Sequence, residues 1–350
     1  GQGLQRQNRV YVPVVSNGRP LMPTTESRAR RWIRSGKATP FWSKGVFCIR
    51  LNQEPSAKNV QPVACGIDPG SKKEGFTVKS ETGTFLNIQT DAVTWVKDAV
   101  EVRRNMRHGR RFRKTPCRAN RKNRSRGGIP PSTKARWQWK LRIARWLAGI
   151  YPISIFIVED IKAKTKGQRR WDVSFSPLEV GKNWFYSELG ELAEVKTKRG
   201  WETKEMRDGL CLNKTSRKMA EVFEAHCVDS WVLASSAVGG TVPDNTRLLC
   251  IAPLRFHRRQ LHRFQPDKGG VRKLYGGTRS RGFKRGSIVA HSKWGICYMG
   301  GTRGDRISLH SEVDGRRLCQ NARSSDCKFL TYSSWRTRLL PGLKSEVSTA

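Results

Sequence analysis

The sequence predicts an α/β protein. A mixed sheet opens with an antiparallel meander and is split by an arginine-rich helix. A small α+β module precedes it and a β-rich basic region follows. Three observations carry this. Residues 60–90 hold three short apolar segments, VACGID, EGFTVKS and GTFLNIQT, separated by turn-forming residues, the pattern of strands joined by tight turns. A long amphipathic segment, TKARWQWKLRIARWLAGIYP, runs into an apolar strand, ISIFIVED. Between these, composition switches abruptly: no Asp or Glu occurs from Val102 to Val158.

The 350 residues carry 68 Lys and Arg against 28 Asp and Glu, a formal charge of +40. That excess is the electrostatic footprint of a polyanion-binding protein, above all a nucleic-acid-binding one, and it excludes an ordinary metabolic enzyme. The charge runs through the whole chain rather than through a tail. Hydrophobic residues make up 37% and Gly adds 32 residues, so the composition is that of a folded protein, long enough for two or three domains. The uncharged stretch Ser230–Pro243 has 14 residues, short of the roughly 20 that a membrane span needs. No apolar run follows Arg9, so no signal peptide is expected. Nine cysteines are scattered without a C-x-x-C pair, which predicts reduced thiols in a cytoplasmic protein and no structural zinc site.

Taken in order, residues 1–58 form the first module. VYVPVV reads as a strand, SNGRP as a turn, and TTESRARRWIRSGKA as a basic helix capped at Thr24 or Thr25 and stopped at Gly36. GVFCIRL is a second strand, and NQEPSAKN a linker. The meander occupies 59–100. In 101–130, Arg103, Arg107, Arg110, Arg111 and Lys114 fall on one helical face, with Arg104 and Arg113 beside them. Like charges repel, so a stripe of one sign needs an anionic partner. A basic loop, TPCRANRKNRSRGGIPPS, follows.

Residues 131–250 continue the sheet. Trp139, Ile143, Trp146 and Ile150 share one side of a helix; they could stack on bases, but the spacing favours core. The strand after it, apolar throughout, is expected to be covered on both faces. Residues 161–220 read as a long polar connection with a helix candidate at NWFYSELGELAEV. MAEVFEAHCVDSWVLASSAVGG reads as a helix or helix pair stopped by Gly-Gly, placing His226 and Asp229 at i and i+3 on one face. Residues 251–350 alternate basic, aromatic and Gly residues, with a hairpin of SIVAH and GICYMGG turning at SKW. Candidate nucleic-acid contacts there are Arg258, Arg259, Arg263, Lys284 and Arg285. His257 and His262 lie in a basic stretch without carboxylates. The last 25 or so residues show little periodicity and are expected to be partly disordered.

Asp68, in GIDPG, is either the first residue of a turn or a ligand at a strand end. Glu159 ends the later buried strand, and Asp229 sits on a late helix. Strand-strand-strand-helix-strand order, with acids at two strand ends and on a terminal helix, is the ribonuclease H-like plan. Phosphodiester cleavage by two metal ions needs carboxylates converging on Mg²⁺ ions about 4 Å apart, hard oxygen ligands suit Mg²⁺, and a nearby histidine can take a proton from water.

GIDPGSKKEG, IFIVED and HCVDSWVLA resemble the three RuvC motifs of transposon-encoded RNA-guided nucleases. VYVPVVSNGRPLMPTTESRARRWIRSGKA resembles the PLMP module of the IscB/IsrB group, through Pro20-Leu21-Met22-Pro23. The arginine stripe resembles their bridge helix, and GGVRKLYGGT with GFKRGSIVAHSKWGICYMGG their C-terminal region. The resemblance implies Asp68, Glu159 and Asp229 as ligands of two Mg²⁺ ions, for which Mn²⁺ could substitute, and His226 as ligand or base. It implies an omega guide RNA contacted by Arg103, Arg104, Arg107, Arg110, Arg111, Arg113 and Lys114. It also implies a double-stranded DNA target beside a short adjacent motif, and a monomeric protein in a cytoplasmic ribonucleoprotein. IscB proteins insert an HNH nuclease between the second and third RuvC motifs. Here the 66 residues between Glu159 and His226 contain no histidine, so the chain resembles IsrB, the HNH-less relative, and a nick in the non-target strand is implied. Two other readings remain at this stage. A Holliday-junction resolvase would share the nuclease core but not the PLMP unit. A non-catalytic RNA-binding protein would explain the charge but not the three acids.

Overall fold

A computed structural model describes residues 8–55, 60–114, 128–162 and 176–253, and further on 264–265, 270–271, 279–284, 286–303, 305–312, 314–332 and 335–340. The chain divides into two compact units, with the break between Leu249 and Cys250 and the residues from Leu340 onward counted with the first.

The first unit opens with β1 (Tyr11–Ser16), β2 (Arg19–Thr25), α1 (Glu26–Arg34), β3 (Ala38–Ser43) and β4 (Val46–Leu51). They form a four-stranded sheet in the order β2-β1-β4-β3, with β1 parallel to β4. Val12, Val14 and Ile49 pack under Ala29 of α1 to make its core. Two of these strands are absent from the sequence reading. Arg19 and Pro20, read as the end of a turn, already belong to β2, which carries the Pro-Leu-Met-Pro segment, and ATPFWS is β3. Prolines argue against a strand because they lack an N–H. Both strands lie at sheet edges, where the missing donor costs little.

The central sheet begins with β5 (Ala64–Asp68), β6 (Lys73–Lys79) and β7 (Thr84–Asp91), an antiparallel meander. Next come α2 (Trp95–Phe112), α3 (Pro131–Ile150) and β8 (Ile155–Asp160), which pairs parallel with β5. After α4 (Pro177–Gly190), β9 (Glu194–Arg199) adds parallel to β8. The order β7-β6-β5-β8-β9 is the strand plan 3-2-1-4-5 of a ribonuclease H-like fold. Two short helices complete the unit, α5 (Gly200–Gly209) and α6 (Cys227–Val238). Trp139, Ile143 and Ile150 of α3 are buried, as core residues should be, and Trp146 donates to Ser43 Oγ at 2.9 Å.

Three elements correct the sequence reading. The 161–220 connection carries a strand and two helices: β9 has no apolar alternation because it is an exposed edge, and α5 is polar. The helix expected over NWFYSELGELAEV stops at Gly190, with β9 beginning at Glu194. The late helix starts at Cys227, not at Met219. Before it the chain turns: Thr215 N–H donates to Glu224 O at 3.0 Å and Ala225 N–H to Val222 O at 3.1 Å, bonds that take the backbone out of helical register.

In the second unit, a five-stranded antiparallel sheet has the order 317–323, 306–311, 295–303, 287–291, 327–332. Val289, Cys297, Met299, Ile307 and Leu309 form its core, and the expected SIVAH–GICYMGG hairpin is present. The last stretch is more ordered than its sequence suggests, since Cys327–Tyr332 and Trp335–Leu340 are strands. The first is an exposed edge and the second buries a polar Thr337, so neither shows clean alternation. No helix among the described residues is long and apolar enough to cross a membrane.

One charged pair is locked between the sheet and α3. Lys140 Nζ lies 2.6 Å from Glu74 Oε1, with side chains 3% and 0% exposed. Burial raises the Glu74 carboxyl above the usual range while Lys140 pulls it back. Removing one partner strands a buried charge. Lys140→Met is therefore expected to cost about 3–5 kcal/mol in urea unfolding, and Glu74→Leu added to it to recover most of that loss.

Candidate active site

Strand β5 is short and buried along its whole length, and it ends at Asp68. Its parallel neighbour β8 is registered with Val158 beside Ile67, so Glu159 emerges one step on, next to Asp68. The third carboxylate comes from α6, which has to lie almost on the sheet backbone to deliver it. Two glycines permit this. A Cβ on Gly66 of β5 would overlap the Ser230 carbonyl oxygen, and one on Gly75 of β6 would stand 2.6 Å from His226 O. Polar bonds fix the contact: the Thr77 and Ser230 hydroxyls are 2.7 Å apart, and Cys227 Sγ–H donates to Ile88 O at 3.2 Å. The result is a cluster in which ligand oxygens of Asp68, Glu159 and Asp229 all lie within 4.8 Å of one another. Asp68 and Asp229 are buried.

So much negative charge in so small a volume shows in the titration. Burial, then the charges of Asp68 and Asp229, push the Glu159 carboxyl from its ordinary 4.5 to about 7, against a hydrogen bond from Thr203 and the charge of Lys214. Cations gather on Asp229: Arg207 Nη1 donates to Oδ1 at 2.5 Å, and Lys214 Nζ donates to Oδ2. Burial pulls Lys214 down, but its bond to Asp229 and the charges of Asp229 and Asp68 raise it above the usual lysine range.

His226 does not lie within the helix, as the i, i+3 reading expected, but caps its start. It stands outside the carboxylate cluster. Its Nδ1 is 3.4 Å from Asp68 Oδ2 and its Nε2 2.9 Å from the Lys218 carbonyl oxygen. Burial lowers its pKa, but Asp68 and the Lys218 carbonyl outweigh that and raise it. Two oxygen acceptors facing both ring nitrogens favour the doubly protonated ring.

Asp160, adjacent to Glu159, is occupied elsewhere. It pairs with Lys182 at 2.7 Å and accepts from the Tyr186 hydroxyl at 3.1 Å. Burial would raise its carboxyl, but these bonds hold it below the usual range. Glu159 is thus the member of the Glu-Asp pair that faces the cluster. Three carboxylates with hard oxygen donors, one of them driven toward protonation by its neighbours, fit a divalent cation of the Mg²⁺ or Mn²⁺ type.

Arg103, Arg104, Arg107, Arg110, Arg111 and Arg113 are exposed, and none has an ion pair among the described residues. Arg113 is the C-cap of α2, and Lys114, beyond it at φ 50°, lies outside the helix on which the sequence reading placed it. The helix itself begins at Trp95, before the stripe. Arg258, Arg259, Arg263 and Arg285 lie outside the described residues, as do His257 and His262. Lys284 is exposed, with Nζ 5.7 Å above the Tyr332 ring. The sequence reading missed Arg207 and Lys214, which sit in a polar stretch with no periodic signal. It also missed Gly66 and Gly75, although a glycine inside a strand is itself a signal of close backbone approach.

Gly66→Ala forces a methyl into the α6 backbone and is expected to cost about 1–3 kcal/mol in chemical denaturation, as overpacked cores do. A carboxyl whose folded pKa is raised gives stability that is full below its unfolded value and lost as pH rises through the folded one. In EDTA, wild-type stability should therefore fall between about pH 4.5 and about pH 7 relative to Glu159→Gln, and a divalent salt should reverse the fall; urea midpoints against pH measure both.

The chain is similar in part to solved nucleases. Against Thermus thermophilus RuvC in complex with a Holliday junction substrate, identity is 12% and the TM-score 0.27, covering 50% of this chain and 90% of that one. Against a second T. thermophilus RuvC structure the values are 14%, 0.24, 52% and 99%. Against the CRISPR-Cas12f ternary complex they are 12%, 0.29, 63% and 50%. No curated protein matches the chain. Residues 10–173, from β1 through the strand that bears Glu159, match the profile of the family described as RRXRR protein.

Proposed function

We propose that this protein is an RNA-guided DNA endonuclease of the IsrB type, which cuts one strand by divalent-metal hydrolysis at Asp68, Glu159 and Asp229. The observation that carries the proposal is the carboxylate cluster, three acids within 4.8 Å on a ribonuclease H-like sheet, in a chain of charge +40. Asp68, Glu159 and Asp229 would hold the ions. Bound there, divalent ions supply water activation and charge stabilisation at a phosphodiester. His226, 3.4 Å from Asp68 Oδ2 and 2.9 Å from the Lys218 carbonyl oxygen, is placed to orient the Asp68 carboxylate, beside the role of ligand or base that the resemblance implies. Arg207 and Lys214 fix Asp229 from the other side. The exposed α2 stripe tracks the phosphates of a structured guide RNA, an interaction of charge rather than of base identity. Guide pairing would select the target. The histidine-free segment between Glu159 and His226 provides no HNH centre, so one active centre acts on the displaced strand.

Three carboxylates sharing ions should fail together. Asp68→Ala, Glu159→Ala and Asp229→Ala are each expected to abolish nicking of a target-bearing supercoiled plasmid while guide-dependent DNA binding persists in a gel shift. The wild-type product should be nicked circles mapping to the strand that does not pair with the guide. Early linear product under limiting enzyme, or full activity in Asp68→Ala, would overturn the assignment.

Replacing Arg103, Arg107 and Arg110 with Ala removes exposed charges that do not hold the fold together. RNA affinity should drop, and the slope of log affinity against log salt should flatten by roughly 0.7–0.9 for each phosphate that is no longer neutralised. The melting temperature of the free protein should hold or rise. A triple variant that unfolds with RNA affinity intact would show the stripe to be structural.

A further inference from the structure

We propose that Lys214 is a tethered cation that holds the place of a divalent ion at Asp229 and gives it up when the ion binds. This rests on the nuclease reading above and names how that centre takes up its ion.

Asp229 is nearly sealed, its side chain 3% exposed, and each of its oxygens bears a cation supplied by the chain itself. Arg207 Nη1 donates to Oδ1 at 2.5 Å, and Lys214 Nζ donates to Oδ2. The two cations are held differently. Arg207 is fixed on α5, with its side chain 13% exposed. Lys214 comes from the irregular segment between α5 and α6. The backbone beside it is pinned, since the Thr215 N–H donates to Glu224 O at 3.0 Å and the Gln89 side chain to Ala220 O at 2.9 Å. Its side chain is 33% exposed, and a lysine ends in a compact point charge on a flexible four-carbon stem. Lys214 is thus anchored at its root and free to leave at its tip.

Charge counting says why it leaves. Fully ionised, the three carboxylates carry −3, Arg207 and Lys214 return +2, and the balance is −1. One divalent ion takes that balance to +1, and a pair takes it to +3. Withdrawing Lys214 lowers each figure by one. An ammonium and a divalent ion on one carboxylate oxygen repel at short range, in a buried site where screening is weak. The charge of Lys214 also reaches Asp68 and Glu159, so it bears on the whole cluster. Arg207 suffices to hold the Asp229 carboxylate in position from α5, and Lys214 adds charge where the cluster would take its ion. The sign of the effect separates this role from mere support. An outer partner that only orients a ligand raises metal affinity, and losing it weakens binding about 10–100-fold. A place-holder competes with the ion, and losing it tightens binding.

The test titrates Mn²⁺ by electron paramagnetic resonance into the full-length protein, freed of nucleic acid and metal, with Asp68→Asn as the background for binding elsewhere. Above that background, Lys214→Met is expected to bind Mn²⁺ about ten-fold more tightly than wild type. Lys214→Gln, which can donate to Asp229 without a charge, should fall between them, and Lys214→Arg should match wild type. Lys218→Met removes the same charge from the same segment. It keeps the backbone carbonyl that meets His226, and it too should match wild type. Circular dichroism checks each fold, and if Lys214→Met does not fold, Lys214→Gln carries the comparison. An affinity that loss of the Lys214 charge leaves unchanged or weakens, or an equal tightening in Lys218→Met, overturns the place-holder alone. If neither wild type nor any Lys214 variant binds Mn²⁺ above the Asp68→Asn background, the acid centre takes no metal, and the nuclease reading falls as well.

Discussion

The approach of α6 to the sheet across Gly66 and Gly75 is the contact on which the site depends. A helix held off the sheet by side chains at both positions would carry Asp229 away from Asp68. With no side chain on either glycine, the helix backbone rests against β5 and β6, and the hydroxyls of Thr77 and Ser230 lock it there. The same approach places His226 at the Asp68 carboxylate. Two missing methyl groups thus set the spacing of the acids.

Charge balance is the second constraint. Burial first, and then repulsion from the Asp68 and Asp229 carboxylates, shift Glu159 toward protonation. Arg207 and Lys214 ease the strain by bonding Asp229, and the charge of Lys214 also pulls Glu159 down. Two cations bond Asp229 directly, and His226 stands at Asp68. Far from the cluster the imbalance reverses, and the exposed arginines of α2 make a surface of opposite sign.

Much of this was legible in the sequence, and the gaps have physical causes. The meander and the apolar β8 follow from periodicity and turn residues, while the acids at 68, 159 and 229 stand in suggestive places and are read as ligands through the resemblance. What periodicity cannot show is an edge. The strands β2, β3, β9 and Cys327–Tyr332 are all edges, with one side open to water, prolines tolerated and no alternation required. The sequence places the start of α6 too early because residues 219–226 are apolar enough for a helix but are turned by backbone bonds to residues around 215–224. The choice of Glu159 over Asp160 required the resemblance; the structure supplies the reason, since Lys182 and Tyr186 occupy Asp160. Arg207 and Lys214 left no pattern to find, because their meaning lies in a partner distant along the chain.

The three acids are contributed by β5, β8 and α6, and the last of them lies 161 positions after the first. Synthesis at about 5–20 residues per second separates their emergence from the ribosome by on the order of ten to thirty seconds. The arginine stripe, at 103–113, follows within the first third of that interval, long before the residue that completes the acid cluster. Birth order therefore puts the arginine surface on the growing chain before the acid cluster can be complete.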